Sequence, residues 1–553
     1  MAEAQANGIE SIPVNERGIV FNVKDQGSNP LVGSEDRQVV LGDLINNPFS
    51  VSNILQAHAN LYPEESNAYI VPTAYHLKFT PANVEELKIL IDSDLDLYDY
   101  PLNMEIITDG GHYQNLSPDD IPSLYTIVDV NAPIPPISYV VLDEYYFDEF
   151  NPILIAESFV LSGNEDEVEE YTGIPASFVI DGRLDRRKPL CPEGCELITW
   201  IDDSEDPPIV NWFCDCDGPP PPPAPIFNDC GCPVFKSIRK PAGCIYVEDT
   251  QYSDPADLTT FEPVRRVKVT AKNKFGKSRS TYADDDGCWK INEEFKGKIK
   301  VKIRFTHDRA KIRGVRKLAI QFVTNYLTPV TFETEKISGP VFNDVGTYFH
   351  MWGEKGSRGH LYWGASTVNN ALHEFHDNAA SDGINPPPMG MDMYVGWKES
   401  YGYAIMRKQM GAIAVMQALN SGISSSSTFI QPFAAFSPLE FIITMFAPDV
   451  FVGIDRITSD NLKDLAYHEI AHSSHYTKAG RSFWQALIES ETTAEIVNGD
   501  PHGISTSNGA GYISVAESWA EFLGLTYLDR RYSDEEDTSI TGTYGDRIGE
   551  NTQ

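Results

Sequence analysis

The sequence predicts a multidomain α+β protein: a β-rich N-terminal domain, a small β-sandwich middle domain, and a mainly helical C-terminal domain with a small mixed sheet. Three observations predict it. Up to about residue 306, apolar residues come in short alternating runs broken by Pro, Gly, Asn and Asp; from 307 onward they recur at helical spacing. Five consecutive prolines, Pro219 to Pro223, divide the strand-rich half in two. The 553 residues also suffice for three or four cores at roughly 150 residues per domain. The expected division is 1–217, a Pro-rich linker at 218–235, a sandwich at 236–306 and a final domain at 307–553.

Charge narrows the function classes. The chain carries 43 Lys+Arg against 80 Asp+Glu, a net of −37. That field repels phosphate backbones and anionic lipid heads, so nucleic acid is excluded as a partner. The longest apolar run, Leu439 to Ile454, is interrupted by Glu440, Pro448 and Asp449. It is too broken to cross a bilayer. Residues 81–220 hold 31 acidic and 5 basic residues, whereas 236–320 hold 21 basic and 11 acidic. Opposite fields in neighbouring domains leave two readings, that the first docks on the second or that each face is simply solvated.

In the first domain, Gly18–Val23, Tyr75–Phe79 and Tyr139–Leu142 have the length and alternation of strands, and Val84–Ile91 suits a short helix. The run Asp92–Asp99 invites a calcium reading, but an EF-hand loop needs Gly and Glu where Leu97 and Asn103 stand. A turn with exposed carboxylates is expected there. The proline run reads as a stiff polyproline spacer. Around it lie Cys191, Cys195, Cys214, Cys216, Cys230 and Cys232, with Cys244 and Cys288 beyond. An even, clustered set predicts disulfides in an oxidising compartment, because C-x-C pairs fit structural zinc spacing badly. Met1–Gln5 has neither a basic nor an apolar export region. Taken alone that reads as cytosolic or as a chain whose export signal is absent or already removed; the cysteines favour the second, and the expectation is an extracellular or bacterial cell-surface chain.

The middle region alternates strictly at Lys298–Phe305, and a turn at Asp284–Gly287 leads into Cys288-Trp289-Lys290-Ile291. The stretch VRRVKVTAKNKFGKSRSTYADDDGCWKI, from Val264 to Ile291, resembles the carboxypeptidase-regulatory, transthyretin-like module. The resemblance implies a structural or adhesive role. It also places Cys244 and Cys288 on two strands of one sandwich, where a bond between them is expected.

Beyond 307, helices are expected at 316–327, 367–378, 404–419, 460–478, 482–497 and 513–530, and the polar tail from Ser533 should be frayed. The strongest signal is ITSDNLKDLAYHEIAHSSHYTKAG, which holds His468-Glu469-Ile470-Ala471-His472. Ser459 and Asp460 are suited to cap this helix and Gly480 to stop it. On it, His468 and His472 share a face and can grip one Zn²⁺, with Glu469 beside the open position as general base. His373-Glu374-Phe375-His376 is a second histidine pair. No companion carboxylates follow it, so a surface helix without metal is expected.

This motif resembles the zincin metallopeptidases, in which such a helix packs under a mixed sheet whose edge strand lines the substrate cleft. The metzincin continuation fails, since His475 and Lys478 stand where Gly and His belong. The gluzincin continuation is offered by Glu517-Ser518-Trp519-Ala520-Glu521. There Glu517 would be the third metal ligand and Glu521 would orient His468 from behind. His475 is the rival ligand, although on a straight helix it lies about 4.5 Å beyond His472. Zincins also need a donor for the oxyanion, and His502 and Tyr512 are both candidates. The resemblance implies a secreted or cell-surface zinc endopeptidase acting on protein or peptide, with surface association through the N-terminal domains. The alternative is an adhesion or scaffold protein with a structural or vestigial zinc site.

Overall fold

A computed structural model describes residues 9–14, 18–23, 38–65, 69–108, 113–114, 120–147, 151–182, 196–202, 209–215, 226–228, 230–251, 261–315, 329–337, 342–351, 357–396, 399–411, 414–415, 417–419, 421, 447–455 and 458–532. The proline run, the expected helix at 316–327, the tail from Ser533, Cys191, Cys195, Cys216 and the side chain of Cys214 lie outside them. The fold is multidomain α+β, with helices and several small sheets.

Two sheets share the middle of the molecule. Lys268–Asn273 is flanked by Ser278–Tyr282 and Ile299–Arg304, and Thr331–Glu333 completes four antiparallel strands. Alternation works as expected: Val269, Ala271, Val301 and Ile303 are buried in one core with Ile245, Val247 and Val345. The second sheet is centred on Ala242–Glu248, which pairs in parallel with Val345–Phe349 and antiparallel with Phe261–Pro263 and Cys288–Lys290. The hairpin Ile9–Val14 and Gly18–Val23 extends it from the far end of the sequence.

The N-terminal residues place helices among strands. Val51–Leu61 is capped by Ser50, Val84–Asp92 by Asn83 and Pro152–Leu161 by Asn151. Three antiparallel strands, Leu124–Asp129, Ala74–Phe79 and Tyr139–Tyr145, stand beside them.

The opposite fields of the two regions meet directly. The Asp96 carboxylate accepts from Lys302 Nζ at 3.0 Å and from Arg304, and Tyr98 Oη donates to it at 2.8 Å. Asp94 pairs with Lys268 at 2.7 Å, and Asp92 with Arg313 at 3.2 Å. Burial alone would raise the Asp96 carboxyl, but Lys302 and Arg304 hold it far below the usual carboxylate range. The acidic run is thus neither a calcium loop nor a row of free carboxylates. It is the key that fits the basic face of the sandwich.

The C-terminal region is built on a four-stranded mixed sheet. Ala310–Val315, Met391–Gly396 and Val450–Gly453 run parallel, and Gly402–Tyr403 closes the edge antiparallel to Val450–Gly453. Beside it lie a central helix, Arg358–Asp382, a long helix, Ser459–Asn498, and a C-terminal helix, Ala510–Tyr532. The central helix is no surface helix: it is buried on nearly every side, including His373 at 1% exposure. The expected stretch at 404–419 forms a helix at Arg407–Met410. Among the described residues, no helix is long and apolar enough to cross a membrane.

The cysteines correct one expectation. Cys244 and Cys288 do sit opposite each other across two strands. They are nevertheless bonded to Cys230 and Cys232 respectively, with Cα separations of 6.4 and 5.5 Å. The C-x-C segment straddles the ladder, so each of its thiols captures one of the facing pair. Among the described residues no cysteine is free.

Candidate metal centre

The long helix begins at Ser459 with Thr458, not Ser459, in the N-cap position; the Ser459 hydroxyl instead accepts from Thr250 N at 3.0 Å. Leu462, Ala466 and Ile470 bury one stripe of it in the core. That stripe turns His468 and His472 towards the opposite side. Gly480, at φ 80° and ψ 175°, leaves helical geometry and divides the long helix into two arms, at the stop expected there. Glycine alone adopts that conformation readily. The break lets Phe483 and Trp484 fold back onto the first arm, with Trp484 6.4 Å from the His472 ring. Trp484 Nε1 also donates to Ala404 O at 3.3 Å, which ties the second arm to the edge strand.

The C-terminal helix supplies the carboxylates. Gly524 passes over the His468 backbone, where a β-carbon would lie 3.3 Å from its N and Cα atoms. That close approach brings Glu517 Oε2 to 3.3 Å from His468 Nε2 and Glu517 Oε1 to 3.4 Å from His472 Nε2. One donor atom from each of His468, His472 and Glu517 lies within 4.8 Å of the others. One turn on, Glu521 Oε2 stands 3.5 Å from His468 Nδ1. Glu517 thus faces both imidazoles, and Glu521 faces the other ring nitrogen of His468.

Electrostatics reflect the crowding. Burial tends to lower His468, but the bonds to Glu517 and Glu521 override it and lift the imidazole to about 10. Burial takes His472 down to about 3, against the pull of Glu517. Burial tends to raise Glu517, but the bond from His468 and the charges of His472, His468 and His502 together hold its carboxyl low. Glu469 is 5% exposed. Burial pushes its carboxyl up to about 8, and its Oε2 has no hydrogen-bond partner.

The edge strand sits directly on that base. A β-carbon at Gly402 would fall 2.5 to 2.7 Å from Glu469 Cγ, Oε1 and Cδ. Any side chain there displaces Glu469. His475, the rival ligand, is not in the cluster: its ring lies 4.9 Å from Phe483 and 5.6 Å from Trp484. The helix runs straight past it and bends only at Gly480. His502 Nε2 is 3.8 Å from Glu517 Oε2, whereas the Tyr512 ring rests 5.2 Å from Phe483. Of the two oxyanion candidates, His502 is the one brought to the cluster.

Two nearby residues escape sequence reading. Gly402 belongs to a two-residue strand with no period to detect. Glu491 sits on the apolar stripe of Trp484, Leu487 and Ala494, and its carboxyl is pushed up to about 8 by burial and by the charges of Glu517 and Glu469. A lone Glu at an i, i+7 position of a buried stripe is the signal that could have found it. Comparison with protein-family models, with curated proteins and with solved structures finds no match.

Proposed function

We propose that this chain is a zinc-dependent peptide hydrolase of the gluzincin type, acting outside the cell on protein or peptide. The observation that carries the reading is the convergence of His468, His472 and Glu517, from two helices, beside the buried carboxylate of Glu469. The donor set fits zinc: two imidazoles and one carboxylate, with a second carboxylate behind the first histidine. The buried, unpartnered Oε2 of Glu469 is a polar atom there that the protein alone does not satisfy.

His468, His472 and Glu517 would hold a zinc ion, which would supply Lewis acidity towards a carbonyl and a water. The chain's own residues do the rest. Glu469, buried beside the cluster, takes the proton of the attacking water and delivers it to the leaving amine. Glu521 holds the His468 ring in place. His502, 63% exposed at the cluster, is positioned to donate to the developing oxyanion. The edge strand Gly402–Tyr403 offers backbone groups on which an extended substrate can add as a further strand.

A purely structural zinc site has no use for Glu469, which weighs against the scaffold alternative. The Cys230–Cys244 and Cys232–Cys288 bonds fit an oxidising compartment. The test joins metal analysis to cleavage of an unstructured protein. About one zinc per chain, with hydrolysis lost and zinc kept in Glu469→Gln, is the expected result. Full activity in that variant sinks the mechanism.

A further inference from the structure

The proposed zinc centre stands on two helices, and one buried knot of charge grips both. We infer that Lys463 and Arg531, with Glu262 and Glu374, are positioning residues: they fix the register and rotation of the C-terminal helix against the long helix, so that Glu517 meets His468 and His472. This inference rests on the metal-centre reading.

Lys463 lies on the long helix just ahead of the zinc motif and is fully buried. Its Nζ donates to Glu262 Oε2 at 2.9 Å and to Glu374 Oε1 at 3.0 Å. Tyr467, one turn on and next to His468, donates its hydroxyl to the same Glu374. From the C-terminal helix, Arg531 Nη2 reaches Asp249 at 2.9 Å and Glu262 at 3.3 Å, and its Nε stands 3.7 Å from Glu374. Tyr532 Oη donates to Asp249 at 3.4 Å. Glu374 belongs to the central helix, Glu262 to the strand Phe261–Pro263, and Asp249 directly follows the strand Ala242–Glu248. At the same corner Ser459 N donates to Thr250 Oγ1 at 2.8 Å, which pins the start of the long helix.

Stability alone is a weak reason for such a knot, because an apolar filling of equal shape is commonly as stable. What charged groups add is direction. Arg531 lies fourteen residues beyond Glu517, about 21 Å along a rigid helix. A slip of one residue would turn the helix face by about 100° and carry Glu517 off the cluster.

The experiment separates position from stability. Lys463→Met/Glu262→Gln/Glu374→Gln removes three of the knot's charges at nearly constant volume and leaves Arg531 paired with Asp249. Melting with chelator present and zinc affinity by chelator competition are both measured. The expected result is melting close to wild type with zinc bound about ten-fold or more weaker, as for lost outer-shell support. Unchanged zinc affinity in a folded triple variant overturns the inference. Should the triple variant not fold, Arg531→Met, altered at a partly exposed residue, takes its place: weakened zinc supports the inference and unchanged zinc overturns it. Wild-type protein that takes up no zinc overturns the metal-centre reading instead, and this one with it.

Discussion

Two histidine clusters face each other in kind but not in chemistry. On the long helix, His468 and His472 meet Glu517 and Glu521. On the central helix, His373 and His376 meet His307, whose ring lies 4.5 Å from that of His373. In the second set His307 and the Nδ1 of His373 are engaged, whereas the buried Nε2 atoms of His373 and His376 have no hydrogen-bond partner among the described residues. His307 Nδ1 accepts from Arg309 N and Ala310 N, its Nε2 bonds Asn369, and Arg309 Nη1 donates to His373 Nδ1 at 2.7 Å. Carboxylates surround one cluster and a guanidinium the other. Spacing brings imidazoles together, and the sign of the neighbouring charge decides whether a cation is welcome.

The largest expected effect breaks that comparison at its centre. Glu517→Ala should weaken zinc binding by orders of magnitude, because a charged ligand leaves a three-ligand site, while His373→Ala leaves zinc near wild type. Chelator competition on both variants checks this. Zinc lost from His373→Ala, or kept in Glu517→Ala, would reverse the roles of the clusters. Next in size, Glu521→Ala should weaken zinc about 10- to 100-fold and His475→Ala hardly at all. A site emptied by His475→Ala would mean that the straight first arm is wrong.

His468 should answer pH with the opposite sign to His307 and His376. Burial holds His307 and His376 down to about 4 in the folded chain. Between pH 6.5 and 4 the unfolded chain therefore binds more protons, and stability falls as pH falls, by about 1.4 kcal/mol per unit for each such histidine. His468 is raised to about 10 in the metal-free protein. Its contribution is present below pH 6.5 and is lost as pH rises towards 10. Denaturant midpoints with chelator across pH 4.5 to 9 should trace a dome, and His376→Gln should flatten only its acid side. A midpoint that does not move between pH 4.5 and 6.5 contradicts the buried, neutral cluster. The smallest effect sharpens the charge argument. Arg309→Met removes the guanidinium but adds no carboxylate, so zinc should stay at about one per chain; a second zinc would show that repulsion alone had kept the metal out.

Much of the site was legible because its chemistry is local. The i, i+4 spacing of His468 and His472, and of Glu517 and Glu521, needs only helical geometry to be read. The opposite charges of 81–220 and 236–320 admitted two readings, and Asp96 decides for docking by its pairing with Lys302 and Arg304. What stayed hidden depends on tertiary partners. The central helix reads as a surface element because Asn369, Asn370 and His373 are polar, yet Arg265, Pro263 and Arg309 satisfy them inside. Pro152–Leu161 is apolar on all sides and lacks a helical period. The C-x-C bonding could not be read from spacing, since facing cysteines on two strands look like each other's natural partners.

Gly402 closes the gap between the edge strand and Glu469 to nothing. In the proposed hydrolase, a substrate then has no path between strand and helix and must lie along the outer rim as a single bare strand. Compact proteins, whose strands are already paired, have none to lend. An enzyme of this shape would spare the folded neighbours of an extracellular setting and consume only chains that have come undone.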